Sequence, residues 1–158
     1  MSDSVNTALK LDNLSLRLWL RLLSCTKLIE NEVRSNLREC FNTTLPRFDV
    51  MAQLYRYPDG LRLGELSQKL MVTGGNITGI IDQLAQEGLV ERADDPHDRR
   101  AYLAKLTDSG TNAFEDMAVQ HREWVADLTS GLSDDEQRQL QMLLTKLRDS
   151  IQDKLSRR

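Results

Sequence analysis

Apolar residues recur every three or four positions from Leu14 to Phe41, at Leu14, Leu18, Leu22, Cys25, Ile29, Val33, Leu37 and Phe41. That spacing places them on one stripe of a single long helix. Asn42-Thr43-Thr44 ends the pattern, and Thr44 followed by Pro46 marks a new helix start. A threonine hydroxyl accepts from an unpaired first-turn N–H, and proline has no N–H to leave unpaired. The second helix is predicted over 45–57, with Phe48, Met51, Ala52 and Tyr55 inward, and Pro58-Asp59-Gly60 stops it.

A short extended piece, Leu61-Arg62-Leu63, precedes two helices predicted over 64–70 and 73–87. Leu66, Leu70, Val72, Ile77, Ile81 and Leu84 form their shared apolar side, and Gly88 suits the left-handed position that closes the second. The period then changes from 3.6 to 2. Leu89–Arg92 and Ala101–Leu106 are predicted as strands joined by a polar loop over 93–100. Thr107 caps a helix reaching about residue 129, and Ser133-Asp134-Asp135-Glu136 is a capping box opening a last helix. The stripe of that helix is Leu140, Leu143, Leu144, Leu147, Ile151 and Leu155. The expected organisation is a dimerisation helix with a loose start (1–44), a compact helix–helix–helix–hairpin unit (45–106) and C-terminal dimerisation helices (107–158). Helices this long bury their stripes against another chain or each other.

Composition narrows the class. The chain has 158 residues, with 21 Lys+Arg against 24 Asp+Glu and a net charge of −3. Aromatic residues make up 5%, with eight glycines and three prolines, a supply of turn formers too thin for a β-sandwich. The fold class is therefore mostly α with a small β-hairpin. The most apolar run, Leu14–Leu23, is broken by Arg17 and Arg21, so no membrane span is expected. The first residues lack the basic start and apolar core of a signal peptide. Cys25 and Cys40 are 15 residues, about 22 Å of helix, apart, beyond disulfide reach within a chain. These features point to a reducing cytoplasm.

Helix, turn, helix and hairpin in that order form a winged helix-turn-helix, whose second helix enters the major groove of double-stranded DNA while the hairpin tip reaches the minor groove. The turn falls at Met71-Val72, with Thr73 as cap, and the leading end of the recognition helix carries Gly74, Gly75, Asn76, Thr78 and Gly79. Each glycine costs a helix about 1 kcal/mol against alanine, so three within six positions need a reason. Either helices cross closely there, or the bare backbone approaches phosphates, which a helix N-terminus attracts. Asn76 and Thr78 can bond base edges or phosphates. In the hairpin, Arg100 is expected to enter the minor groove, Asp98 to brace its guanidinium and Arg99 to reach phosphate.

Other chemistries lack their residues. There is no cysteine pair at zinc spacing, and the two histidines, His97 and His121, lie in a loop and on a helix. Gly74-Gly75-Asn76-Ile77-Thr78-Gly79 matches neither a dinucleotide fingerprint nor a Walker loop. No enzyme activity, cofactor or metal is expected.

Asp95-Pro96-His97-Asp98-Arg99-Arg100, followed by Leu106-Thr107-Asp108-Ser109-Gly110, resembles the wing signature of the MarR family of bacterial regulators. Gly64–Leu70, Thr73 and Gly88-Leu89-Val90-Glu91-Arg92 are similar to it as well, and the resemblance spans about 14–155. It implies a homodimer on a pseudo-palindromic operator, usually a repressor released by a small ligand. It also brings the first two helices against the helix after the wing. Arg17, Trp19, Arg21, Arg47, Phe48, Met51, Tyr55, His121 and Trp124 could then line an apolar pocket with cations at its mouth, suited to an aromatic acid or its CoA thioester. The plainer account makes Trp19, Phe48 and Met51 core. The chain departs from the family in having no Lys or Arg over 73–86, and residues 45–106 hold eight basic and nine acidic side chains. Binding then depends on placement, with Arg62 and Lys69 flanking the turn and Arg92, Arg99, Arg100 and Lys105 on the wing. A redox sensor using Cys25 or Cys40, and an interaction protein without DNA, are the alternatives.

Overall fold

The computed structural model describes residues 13–70 and 74–158. Their elements are α1 (Leu14–Phe41), α2 (Leu45–Arg56), α3 (Leu63–Leu70), α4 (Gly74–Gln86), β1 (Val90–Asp95), β2 (Asp98–Leu106), α5 (Asp108–Leu128) and α6 (Asp134–Ser156). The chain divides into two compact units, one running to His121 and the other from Arg122 to Arg158. The turn at Met71-Val72 and the Thr73 cap lie outside the described residues.

The helix boundaries follow local chemistry. Asn42 takes a left-handed conformation (φ 49°) and closes α1, while the Thr44 hydroxyl accepts from Arg47 N with Pro46 in the first turn of α2. Gly88 (φ +73°) ends α4, with Leu89 N donating to Leu84 O. In the second unit the Ser133–Glu136 capping box is fully formed.

The core of the first unit joins α2, α3, α4 and the hairpin. Leu66, Ile77, Ile81 and Leu84, all expected inward, have no exposed surface. In α2 the inward set is Phe48, Val50, Met51 and Leu54, whereas Tyr55 is exposed and Ala52 half-buried. Contact with two sides of the core, rather than one, moves the buried face round by about a quarter turn. Val33 and Leu37 of α1 and Phe114 and Met117 of α5 are buried too, so this unit extends on both sides of 45–106.

β1 and β2 pair antiparallel, from Val90 opposite Leu106 to Asp94 opposite Tyr102, and Leu61 adds a single bridge to Ala104. The hairpin is longer than its periodicity indicates. Asp95 pairs with Asp98, so the connection is the two-residue turn Pro96-His97 rather than an eight-residue loop. Register shifts between Asp94 and Asp95, leaving Arg99, Arg100 and Ala101 bulged out of the pairing.

The Leu-Thr-x-x-Gly motif fastens α5 to the hairpin base. Thr107 Oγ1 donates to Gly88 O (2.7 Å) and accepts from Gly110 N (3.0 Å), and Thr107 N donates to Leu89 O (3.1 Å). A Cβ on Gly110 would lie 1.9 Å from Leu89 O, so only glycine lets α5 start this close.

Much of the apolar stripe of α1 has no cover in a single chain. Leu14 is 76% and Leu18 50% exposed, and Cys25, expected on the stripe, is exposed as well. No residue of α6 is buried, and Leu140, Leu143, Leu144, Ile151 and Leu155 all stand exposed. Among the described residues, no helix is long and apolar enough to cross a membrane.

Candidate nucleic-acid interface

α4 is anchored by Ile77, Ile81 and Leu84, which turns Asn76, Thr78, Gly79 and Asp82 outward. A Cβ on Gly79 would meet nothing within 4 Å. No neighbour among the described residues therefore requires glycine at this position, unlike Gly110. Gly74 and Gly75 form the first two positions of α4. The leading half of this helix carries no charge and is open at Gly79.

Arg99 and Arg100 are exposed at the hairpin tip, where the bulge takes them out of the ladder. Asp98 does not brace the Arg100 guanidinium. Its Oδ1 accepts from Arg100 N (2.9 Å), because two-residue spacing favours a side-chain turn onto the backbone. The carboxylate shapes the bulge and leaves the guanidinium to solvent.

Arg62 also has a different place from the one its sequence position indicates. Its guanidinium pairs with Asp95, whose side chain is 2% exposed and whose other oxygen accepts from His97 N (2.8 Å). The Arg62 guanidinium, and then the His97 N–H, hold the Asp95 carboxyl below its ordinary range. Arg62 thus ties the start of α3 to the wing turn. It shares a groove of about 520 Å³ with Arg100, Gln68 and Tyr102. Sequence reasoning missed this pair because its partners are 33 residues apart.

Two further arginines neutralise acids of α4 and of the turn that follows it. Arg92 pairs with Asp82 and lies over the Tyr102 ring, 5.1 Å from its centroid. Arg47 grips Glu87 with both terminal nitrogens and, through that hydrogen bond first, lowers its pKa. Arg92 is therefore paired within the chain. Lys69 Nζ sits over Tyr57 (4.3 Å to the centroid) and bonds its hydroxyl (3.1 Å) on an exposed face. The open cations of the wing tip are Arg99 and Arg100.

The ligand candidates do not form one cluster. Phe48 and Met51 are core, as the plainer account holds, whereas Trp19, core on that account, is 56% exposed. Phe48 stacks on Phe114 and His121, with ring centroids 5.4 and 4.8 Å away, and Tyr55 packs on Phe114 and donates to Glu115 (2.9 Å). Burial lowers the His121 pKa. Arg47 and Met51 line a cleft of about 430 Å³ with Phe41, Glu87 and Met117. Arg17, Trp19 and Arg21 lie on the exposed first turns of α1. Trp19 stands 22 residues, or about 33 Å of helix, before Phe41, so one chain cannot bring it to this cleft. Trp124 belongs to the second unit. Cys25 and Cys40 are both exposed.

Comparison with known proteins decides the family. The chain is 37% identical over 118 residues to the HTH-type transcriptional regulator YkoM of Bacillus subtilis strain 168, an uncharacterized protein, covering 74% of both chains. The MarR family model matches residues 43–102. The chain belongs to the MarR family. Its fold is similar to that of a MarR family regulator from Silicibacter pomeroyi (33% identity, TM-score 0.74, 87% of this chain and 94% of that one). It is similar as well to a cysteine-to-serine mutant of E. coli MarR complexed with operator DNA (26% identity, TM-score 0.74, 84% and 94%). This chain is thus a DNA-binding transcriptional regulator of the winged helix class.

Proposed function

We propose that the protein binds a pseudo-palindromic operator as a homodimer, represses from it, and is released by an aromatic acid or aromatic acyl thioester. The observation that carries the DNA geometry is the pairing of an α4 front open at Gly79 with a bulged wing tip presenting Arg99 and Arg100. On this reading Asn76, Thr78 and the Gly74-Gly75 backbone address the major groove. Lys69 and Arg99 reach phosphate, and Arg100 enters the minor groove. The uncovered stripes of α1 and α6 supply the dimer contact. The test is fluorescence anisotropy on DNA adjoining the protein's own gene. Arg100→Ala should weaken binding by about 1–3 kcal/mol, and unchanged affinity overturns the wing assignment.

The ligand reading rests on the α2–α5 cleft. Arg47 Nε there is buried without a hydrogen-bond partner, a state that buried donors seldom keep. A carboxylate or thioester oxygen entering beside Met51 and Met117 would satisfy it. Calorimetry with aromatic acids and their CoA thioesters should show binding that Arg47→Met abolishes. Absence of heat with every such compound removes the ligand while leaving DNA binding in place.

A further inference from the structure

A second groove, of about 380 Å³, runs along the flank of α4 opposite the wing. It joins Asn76, Ile80 and Gln83 of that helix to Arg34 and Arg38 of α1 and to Thr43 and Thr44 at the α1–α2 corner. Arg34 and Arg38 are one helical turn apart on one face, and both are exposed. Among the described residues neither meets a carboxylate. Arg34 Nη1 bonds only the neutral Asn31 Oδ1 (3.0 Å). Arg47, the third arginine of the groove, is already held by Glu87.

We propose that Arg34 and Arg38 form a phosphate clamp that holds the DNA backbone beside the recognition helix, on the side the wing does not reach. This rests on the reading of α4 as the groove-entering helix. Asn76 and Gln83 line the same groove as the two guanidiniums, so a duplex seated on the outer face of α4 passes its sugar–phosphate edge along them. The opening turn of α2 contains no acidic side chain to oppose an anion there. The clamp also accounts for a near-neutral winged segment: cations that the recognition helix lacks are lent by the preceding helix. Phosphate contacts fix position without reading sequence, so the clamp contributes affinity and salt dependence alone.

The experiment is a salt titration of operator affinity for the full-length protein, the double variant Arg34→Gln/Arg38→Gln, the charge-preserving Arg34→Lys/Arg38→Lys, and Arg157→Gln at the far end of the chain. Each lost contact reduces the log K against log salt slope by about 0.9. Four contacts in a dimer therefore reduce it by about 3–4. The glutamine pair should lose at least tenfold in affinity while keeping the parent's ratio of operator to scrambled DNA. The lysine pair should recover most of the slope, and Arg157→Gln should match the parent. A glutamine pair with the parent's slope overturns the clamp. So does a lost operator-to-scrambled ratio, which would mean a disturbed recognition helix. A parent protein that fails to bind DNA overturns the operator reading itself.

Discussion

Gly79 lies mid-way along α4, and among the described residues nothing comes within 4 Å of where its Cβ would be. Glycine at such a position is a loss to the fold. Alanine should therefore stabilise the helix by about 1 kcal/mol, raising Tm by about 2–4 °C at a fixed protein concentration. Leucine, nearly as good a helix former, should be at least neutral. DNA binding should move the opposite way. A leucine side chain projects three bonds from Cα into the space where the DNA edge would lie, and should weaken operator binding at least tenfold, about 1.4 kcal/mol. Alanine should weaken it less. Calorimetric melting paired with anisotropy titration reads both effects on one preparation. A leucine variant that binds operator like the parent would refute the placement of this face against DNA. One that melts lower would show that the glycine serves packing after all.

Gly110→Ala should behave in reverse. Its Cβ would fall 1.9 Å from Leu89 O, and relief requires moving α5 from the hairpin base, a loss of about 1–3 kcal/mol seen as a lower Tm. Arg62→Gln should weaken operator binding by freeing the Asp95 turn, yet leave the salt slope unchanged, since that guanidinium is already paired with Asp95. Arg99→Gln should flatten the slope. For Asp49, burial and then Glu30 raise the carboxyl pKa from 3.8 to about 6. The folded state holds this proton more tightly than the unfolded chain, so the stability tied to it is present below pH 3.8 and lost as pH rises through about 6. Asp49→Asn should accordingly gain about 1 kcal/mol over the parent at neutral pH after solvent screening. Urea melts should show that gain vanishing in acid, and a gain independent of pH contradicts the titration.

Local signals carried most of the fold. The α1 boundaries, the Thr44 and Ser133 caps, the Gly88 stop and the period change at Leu89 all act within a few residues, so they are readable in one dimension. The hairpin follows from that period change, and the family signature matches it. What the pattern could not supply were pairings between distant residues and the faces shared by three elements. The Arg62–Asp95, Arg92–Asp82 and Arg47–Glu87 pairs each join residues far apart in sequence, and they give three arginines acidic partners that the linear pattern does not show. The hairpin was read short because Arg99-Arg100 looks like a loop, whereas a bulge keeps it inside β2. Arg34 and Arg38 were invisible as a site because the α1–α2 corner alone sets them beside α4.

Hydroxyl-radical footprinting of the full-length protein on DNA flanking its gene tests the central claim most directly. Two symmetric protected half-sites should appear about 34 Å apart, one helical turn, with outlying minor-groove protections that vanish in Arg100→Ala while the central ones persist. A single unpaired footprint, or outer protections untouched by Arg100→Ala, contradicts a dimer that grips DNA by recognition helix and wing.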